Sequence, residues 1–417
     1  MSNPIFIARQ DTLEQEILPA HWLAQYKLFG EESYTFQDKG IWKKLCMSSA
    51  AANDRDIHAE ALEEMLTTFS AEHTGKWMLL VYGTNAAALE GLATMAAIAA
   101  NGTAMGAVVD NALLMHAIAN SETAMQRIAN SQTAMQRVAN NRGAMDAIGR
   151  SRIARDAVQA SPYYNSYIKE NDMAIAKLTV ALANLESAGY SGMAGVAADS
   201  TAMTAVAASS VARNAISASP YYDEKIKEND MAIAKLVVGF ANLESARYSG
   251  CAGMAADSTA MTAVAASSTA MTAVAASGVA LKAIAQAYKK TANMLQFLKA
   301  VNASDTLVKR IYSTLTGATG LFGATQLGSQ DGVESANSWA TTSAASNAFL
   351  ACACGYYSSG GSSVNVTYNG TVIAQNKTGA KQPGSVTSTN VNAITMAPST
   401  FTENGDGWLA VQKFTAK

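Results

Sequence analysis

Apolar residues recur every ten positions between about residue 91 and residue 160. Ile or Val follows each methionine of this pattern by three residues, and Asn or Ser separates successive units, as in SETAMQRIAN and SQTAMQRVAN. Residues three apart share one face of a helix, so each decamer predicts a short amphipathic helix. The two apolar phases are Met95, Met105, Met115, Met125, Met135 and Met145, and Ile98, Val108, Ile118, Ile128, Val138, Ile148 and Val158.

A single continuous helix does not suit a ten-residue repeat. At about 100° per residue, ten residues leave each apolar position roughly 80° behind the last, so the stripe would spiral around the helix. We therefore predict a break at every Asn/Ser junction, where Ser or Thr is a good N-cap and Asn tolerates the left-handed conformation. Helices of two turns are unstable alone, so they must stack, either within one chain or between chains.

Similar decamers return inside a longer repeat. The segments that begin at Ala160 and Ala218 match over about 50 residues at an offset of 58, and one extra decamer, Ser268–Ser277, follows the second copy. We predict one helix of about 25 residues over Pro162–Glu186, with Lys177 among its polar positions. We predict that the inward side chains of the decamers are Met105, Met125, Met135, Met145, Ile118, Ile128, Val138, Ile148, Met203, Val206, Met261, Val264, Met271 and Val274.

The two ends of the chain differ from this middle. Near the N-terminus, Ala59–Phe69 has the spacing of an amphipathic helix, and the adjacent acids Glu63 and Glu64 predict a solvated face. Ala287–Ser313 predicts a further helical stretch. Beyond residue 317 Gly, Ser, Thr and Asn dominate, the Tyr368-Asn369-Gly370 segment predicts a β-hairpin, and Gly407–Phe414 predicts a strand.

These patterns predict an elongated, multi-domain α+β protein. Its parts are an N-terminal mixed domain, a repeat shaft of short stacked helices and longer helices, and a small C-terminal β domain. The predicted boundaries are 1–85 for an attachment domain, 86–160 for the decapeptide shaft, 161–285 for the two long repeats, 286–317 for a helical connector and 318–417 for the β tip.

Composition excludes several classes of function. Charged residues are 15% of the chain and the net charge is −2, so no basic surface favours nucleic acid. The apolar segment from Ala86 to Val109 is mostly Ala and Gly and contains Glu90, which favours helix packing over membrane insertion. The first ten residues lack the pattern of a signal peptide, so we expect synthesis in a cytoplasm.

The sequence contains no motif that predicts catalysis. No P-loop, G-x-S-x-G or G-x-G-x-x-G is present, and the histidines have no zinc-binding spacing. Thioethers can bind copper(I), but the regular methionines beside Ile and Val favour core packing. The four cysteines, among them Cys352 and Cys354, form no CxxC pair. We therefore expect a protein that is not an enzyme and has no metal or cofactor.

The C-terminal region offers the best candidate for a binding surface. Its aromatic residues stand in a Ser/Thr/Asn-rich setting, and such surfaces suit sugars or host proteins. The alternative is that the same rings form the core of a small β domain. The candidate residues are Tyr356, Tyr357, Tyr368 and Trp408.

The decamers, of which STAMTAVAAS is typical, resemble low-complexity repeats in tail fibres and other virion appendages of tailed bacteriophages. The resemblance covers about residues 91–285. It implies a homotrimer in the virion, attached to other virion proteins through residues 1–85 and contacting a host glycan or protein through its tip. The alternatives are a virion component without a receptor role, such as a baseplate, neck or capsid fibre, and a bacterial repeat adhesin or scaffold.

Overall fold

The chain folds as an α+β protein, as the sequence predicts, with helical repeats followed by antiparallel strands. The computed structural model describes residues 55–68, 74–75, 78–79, 88–89, 91–287, 291–331, 337–340, 347–356, 363–375, 385–396, 399–404 and 407–417. The chain divides into two compact units: residues 1–193 with 218–220, and residues 194–217 with 221–417. Within residues 1–85, the predicted helix at Ala59–Phe69 is confirmed as Arg55–Thr68.

The first unit is built from short helices that begin and end with the decamers. Each decamer helix from residue 102 to residue 160 is eight or nine residues long and starts directly after an Asn or Ser. The helices are α1 (Arg55–Thr68), α2 (Met95–Ala100), α3 (Gly102–Val109), α4 (Ala112–Ala119), α5 (Glu122–Ala129), α6 (Gln132–Ala139), α7 (Arg142–Arg150), α8 (Arg152–Ala160) and α9 (Asp172–Leu182), with a π-helix, π1 (Tyr164–Lys169), before α9.

The decamer helices of this unit stack within the chain, three helices to each coil of a solenoid. Successive helices turn sharply, by 99° between α3 and α4. Each helix then packs on the one three elements earlier: α5 on α2, α6 on α3, α7 on α4 and α8 on α5. The repeat alone left open whether the decamers stack within one chain or between chains. The structure shows stacking within one chain, because the apolar faces of the helices meet there.

The serine N-caps join neighbouring coils. Ser151 Oγ accepts the Ala154 amide proton at 3.3 Å and donates its own proton to the Ala119 carbonyl, 32 residues earlier, at 2.6 Å. Ala119 is the last residue of α4, so this bond satisfies a carbonyl that has no partner inside its own helix. Ser131 and Ser161 bond in the same way to Ala99 and Ala129.

Asparagine caps join coils through their side-chain amides. Asn141 Oδ1 accepts the Ala144 amide proton at 2.9 Å, while its Nδ2 donates to Asp110 Oδ1 at 2.9 Å. Asn171 makes the same pair of bonds, with Asn140 as its partner in the coil below at 3.0 Å. At these junctions one polar side chain therefore caps a helix and connects two coils.

Helix α1 covers the first coil by packing on α4 and α5. Glu63, on α1, accepts hydrogen bonds from the Ser121 hydroxyl, the Thr123 amide at 3.1 Å and the Thr123 hydroxyl at 2.6 Å. A carboxylate is favourable at a helix N-terminus, here that of α5. The prediction of a solvated face is therefore wrong for Glu63, whose carboxylate binds α5.

The predicted long helix over Pro162–Glu186 is wrong. The chain forms the π-helix π1, turns at Asn171, and continues as the eleven-residue helix α9. Asn171 lies ten residues after Ser161 and caps α9 through the Ala174 amide, so the ten-residue spacing of caps continues through this segment. Asn184, with φ of 59°, then turns the chain into the loop 183–192.

The second unit repeats this construction. Helix α13 packs on α11, α16 on α13, α17 on α14, α18 on α15 and α19 on α16. The predicted stretch Ala287–Ser313 is two helices, divided at the N-cap Ser304. The helices are α10 (Met193–Ala198), whose first residue belongs to the first unit, α11 (Ser200–Ala208), α12 (Ser210–Ala218), π2 (Tyr222–Ile226), α13 (Asp230–Phe240), α14 (Cys251–Ala256), α15 (Ser258–Ala266), α16 (Ser268–Ala276), α17 (Gly278–Gln286), α18 (Thr291–Asn302) and α19 (Asp305–Gly317).

The C-terminal strands form two antiparallel four-stranded sheets, in the orders β1-β8-β3-β6 and β2-β7-β4-β5. The predicted hairpin is confirmed between β4 and β5, where Asn369 and Gly370 both have positive φ, as a type I′ turn requires. The strands are β1 (Phe322–Asp331), β2 (Asn337–Ala340), β3 (Ala348–Tyr356), β4 (Ser363–Tyr368), β5 (Thr371–Gln375), β6 (Ala393–Met396), β7 (Thr400–Asn404) and β8 (Gly407–Ala416).

Two helix side chains fix the sheets to the last helices of the repeat. Asn302, at the end of α18, donates to the Ile394 carbonyl at 2.7 Å and accepts from the Ile394 amide at 3.0 Å, so it covers the free edge of β6. Tyr312 on α19 donates to the Val386 carbonyl, 2.9 Å away, and its ring packs edge-on against Phe414. The apolar residues of these helices and sheets form one continuous core.

The side chains predicted to face inward do so throughout the repeat. Each of the fourteen residues has at most 2% of its surface exposed. Among the described helices none is by itself long and apolar enough to cross a membrane; α3 with α4, and α15 with α16, reach that length and composition only as bent pairs.

We expect Met125→Asp to destabilise the first unit by about 3–5 kcal/mol, because it places an unpaired carboxylate in the solenoid core. Gln126→Asp, at the exposed neighbouring position, should change stability by about 0.5 kcal/mol at most. Urea denaturation of both variants measures the difference. Equal destabilisation by the two variants would show that the methionine positions of the decamers do not form the solenoid core.

Ser151→Ala should cost about 2–3 kcal/mol, because it removes an N-cap and leaves the Ala119 carbonyl without its partner. Ser166→Ala, an exposed serine of π1, is the control and should be nearly neutral. Hydrogen exchange should show faster opening in both α4 and α8 for Ser151→Ala. A change confined to α8 would mean that the residue is only a cap.

Candidate functional site

The predicted aromatic surface of the C-terminal region is not formed as expected. Tyr368 is 1% exposed and belongs to the core, so its assignment to a binding surface is wrong. Tyr356 and Trp408 lie one register position apart on the paired strands β3 and β8. Tyr357 lies outside the described residues. The structure thus places Tyr368 in the core, and it pairs Trp408 with Gly355 and Tyr356 with Gly407 rather than with each other.

The β4–β5 hairpin is exposed at its turn. Asn369 and Gly370 at its turn are exposed, and Val372 is 43% exposed on β5, an edge strand. The outer edge of β5 presents backbone amides and carbonyls with which another molecule can pair. The hairpin is therefore the candidate contact surface of the C-terminal region.

A buried lysine holds the loop that follows α9 in the first unit. Lys177 is fully buried, and its ammonium group contacts the Asp146 carboxylate on α7. It also donates to the carbonyls of Ser187 at 3.0 Å and Ala188 at 3.3 Å. An ammonium has three protons, so each has an acceptor, and the opposite charge of Asp146 compensates for the burial.

The equivalent lysine of the second unit lacks such a carboxylate. Lys235 is also fully buried and donates to the Ser245 carbonyl at 3.1 Å and the Ala246 carbonyl at 3.2 Å. Its third acceptor is the Thr204 hydroxyl at 2.9 Å, where the first unit has Asp146. Burial lowers the pKa of Lys235, because the charged form loses its hydration.

Sequence reasoning missed these lysines. The prediction that Lys177 occupies a polar position is wrong, since its side chain lies inside the solenoid. The signal was present in both copies, because each lysine stands alone within an apolar run, AIAKLTVAL and AIAKLVVGF. Neither lysine is accessible to a substrate, so both act as structural groups that hold the loops 183–192 and 241–250.

A polar cleft of about 470 Å³ lies in the second unit, between the end of π2, helix α16 and the end of α19. Lys227 in its wall pairs with Asp223 at 3.1 Å, and Glu228 accepts the Gly278 amide proton at 3.3 Å. The Thr314 hydroxyl donates to the Ala275 carbonyl. Glu228 and Thr314 thus hold α17 and α19, while Lys227 pairs within its own segment, so the cleft is a product of helix packing.

The cysteines of the described chain are buried thiols. Burial raises the pKa of Cys352 well above its ordinary value, and the neighbouring Cys354 raises it further. The described residues contain no group of three His, Cys, Asp or Glu side chains that could hold a metal.

Exchanging Asp146 and Thr204, the corresponding partners of the two buried lysines, tests how a carboxylate partner stabilises each lysine. Asp146→Thr should destabilise the first unit by about 1–3 kcal/mol, because it removes the charge that compensates Lys177. Thr204→Asp should stabilise the second unit by about 1 kcal/mol by supplying that charge to Lys235.

The pH dependence of the second unit gives an independent readout of the same exchange. Because the folded-state pKa of Lys235 is lowered, the unfolded chain holds that proton more tightly, and stability should rise as the pH increases from the folded to the unfolded pKa. Thr204→Asp should flatten this rise. Denaturation at several alkaline pH values measures it, and an unchanged profile would contradict the role given to Thr204.

Neither a protein-family model nor a curated protein matches this sequence.

Proposed function

We propose that the protein is a non-enzymatic structural component of a bacteriophage virion, of the tail-fibre kind, in which the helical repeats act as a spacer and the C-terminal β region contacts the host surface. The observation that carries this proposal is the double role of the N-cap side chains. Because the caps Ser131, Asn141 and Ser151 bond to the coil below, one decamer adds one third of a coil without requiring new contacts elsewhere.

The composition of the repeat supports a spacer. Its core consists mainly of Met, Ile, Val and Ala, and caps such as Asn141 and Ser151 also form bonds between coils. The second long repeat contains one decamer more than the first, as expected where a spacer grows or shrinks by whole modules. Such a construction suits the separation of two attachment points.

The β region supports the contact role through its exposed hairpin. The type I′ turn holds Asn369 and Gly370 at the end of two paired strands, and Val372 stands exposed beside them. A rigid hairpin loses little conformational freedom on binding, which favours its use in recognition.

The homotrimer remains a prediction. The decamer core is closed within one chain, so the repeats do not themselves require other copies. A trimer would then be held by surfaces outside the solenoid core. The burial of Tyr368 favours the second candidate, a virion component without a receptor role, because it removes one ring from the predicted binding surface.

Purified full-length protein should compete for the host surface with the phage particles that contain this protein, and it should reduce their adsorption. Mass spectrometry should find peptides of the chain in the purified particles. Val372→Lys should abolish the competition. Val211→Lys is the matched control, because Val211 is an equally exposed valine on α12, and competition should persist.

The outcomes separate the candidates. Peptides in the particle without any competition would favour the component that lacks a receptor role. Absence of the chain from the particle would contradict the virion proposal, and light scattering of the purified protein would show whether its mass is a multiple of 43.5 kDa.

A further inference from the structure

A line of uncharged aromatic and amide side chains crosses the first unit at π1. Tyr163, Tyr167 and Asn171 are spaced four residues apart along π1 and the turn that leads into α9. All three are partly exposed. Because the π-helix is rare and often occurs at functional sites, this segment is a natural place to search for a ligand.

The two tyrosine rings form a shallow V. Their centroids are 6.5 Å apart and their planes meet at 45°. The Tyr167 amide donates to the Tyr163 carbonyl at 3.1 Å, which fixes the spacing of the two residues. The two partly exposed rings offer adjoining faces on which a ring-shaped ligand can stack.

Amide groups from the coil below border the rings. Gln132 Nε2 donates to the Tyr167 hydroxyl at 2.6 Å, and Asn140 Oδ1 accepts from Asn171 at 3.0 Å. Gln132 and Asn140 are exposed on α6 and its C-cap. The Tyr163 hydroxyl has no hydrogen-bond partner among the described residues. We define these five residues, Tyr163, Tyr167, Gln132, Asn140 and Asn171, as the tyrosine ledge.

We propose that the tyrosine ledge is a binding site for a short neutral saccharide. Sugar rings stack their C–H faces on aromatic rings, and amide and phenol groups donate to and accept from hydroxyls. None of the five side chains is charged, which disfavours an anionic or cationic ligand. The site lies on the helical repeat and is independent of the function proposed for the β region.

The second long repeat provides a comparison within the same chain. There the three corresponding positions are Tyr221, Lys225 and Asn229, so a lysine replaces the second ring. The V of two rings therefore exists only in the first copy. The second copy therefore indicates which substitution, Tyr167→Lys, should remove the site from the first copy.

The test is a titration of the full-length protein with cellobiose, lactose and N,N′-diacetylchitobiose at millimolar concentrations. Saturation-transfer NMR and calorimetry should detect binding of at least one of these disaccharides. Tyr167→Lys should weaken that binding by roughly tenfold or more, because one stacking face is lost. Gln132→Ala, at an exposed position, should weaken it without disturbing the fold.

Asn165→Ala is the control, because Asn165 is an exposed amide of π1 that is not part of the tyrosine ledge, and binding should be unchanged. Thermal unfolding of each variant separates loss of the site from loss of the fold. Absence of binding for all three disaccharides, or binding that Tyr167→Lys and Gln132→Ala leave unchanged, would overturn the proposal.

Discussion

The described solenoid depends on one polar interaction, the hydrogen bond from an N-cap side chain to the coil below. A helix of two turns leaves nearly all its terminal amides and carbonyls without partners inside the helix. Ser131 and Ser151 each satisfy one amide at the start of their own helix and one carbonyl at the end of another, and Ser161 does so for the Tyr163 amide before π1 and the Ala129 carbonyl. The bond therefore fixes both where each helix begins and which earlier helix it stacks on.

Where the decamer pattern stops, acidic side chains instead bind the amides at the starts of helices. Glu63 binds the start of α5, Asp172 accepts the Met193 amide at 2.8 Å, and Asp230 accepts the Cys251 amide at 2.9 Å. The closeness of Asp172 also explains Gly192, since a Cβ there would lie 2.2 Å from a carboxylate oxygen. Carboxylates at helix N-termini thus attach the non-repeating elements to the repeat.

The two long repeats show how one backbone accepts different chemistry. Lys177 and Lys235 hold corresponding loops through corresponding carbonyls, yet only the first has a carboxylate partner. Tyr167 likewise has a lysine, Lys225, at its counterpart. Because the caps and the apolar core already specify the coil, these positions can vary, and they are where the two copies could acquire separate roles.

The sequence by itself determined the helical decamers, their inward residues and the β4–β5 hairpin, because periodicity and turn chemistry are local properties. It did not determine the coil of three helices, the burial of Lys177 or Tyr368, or the binding of Glu63 to α5. These depend on partners 31 or more residues away, as in the bond from Asn141 to Asp110. Only the tertiary structure brings such groups together, since a ten-residue repeat specifies a bend at each junction but not which helix the next one meets.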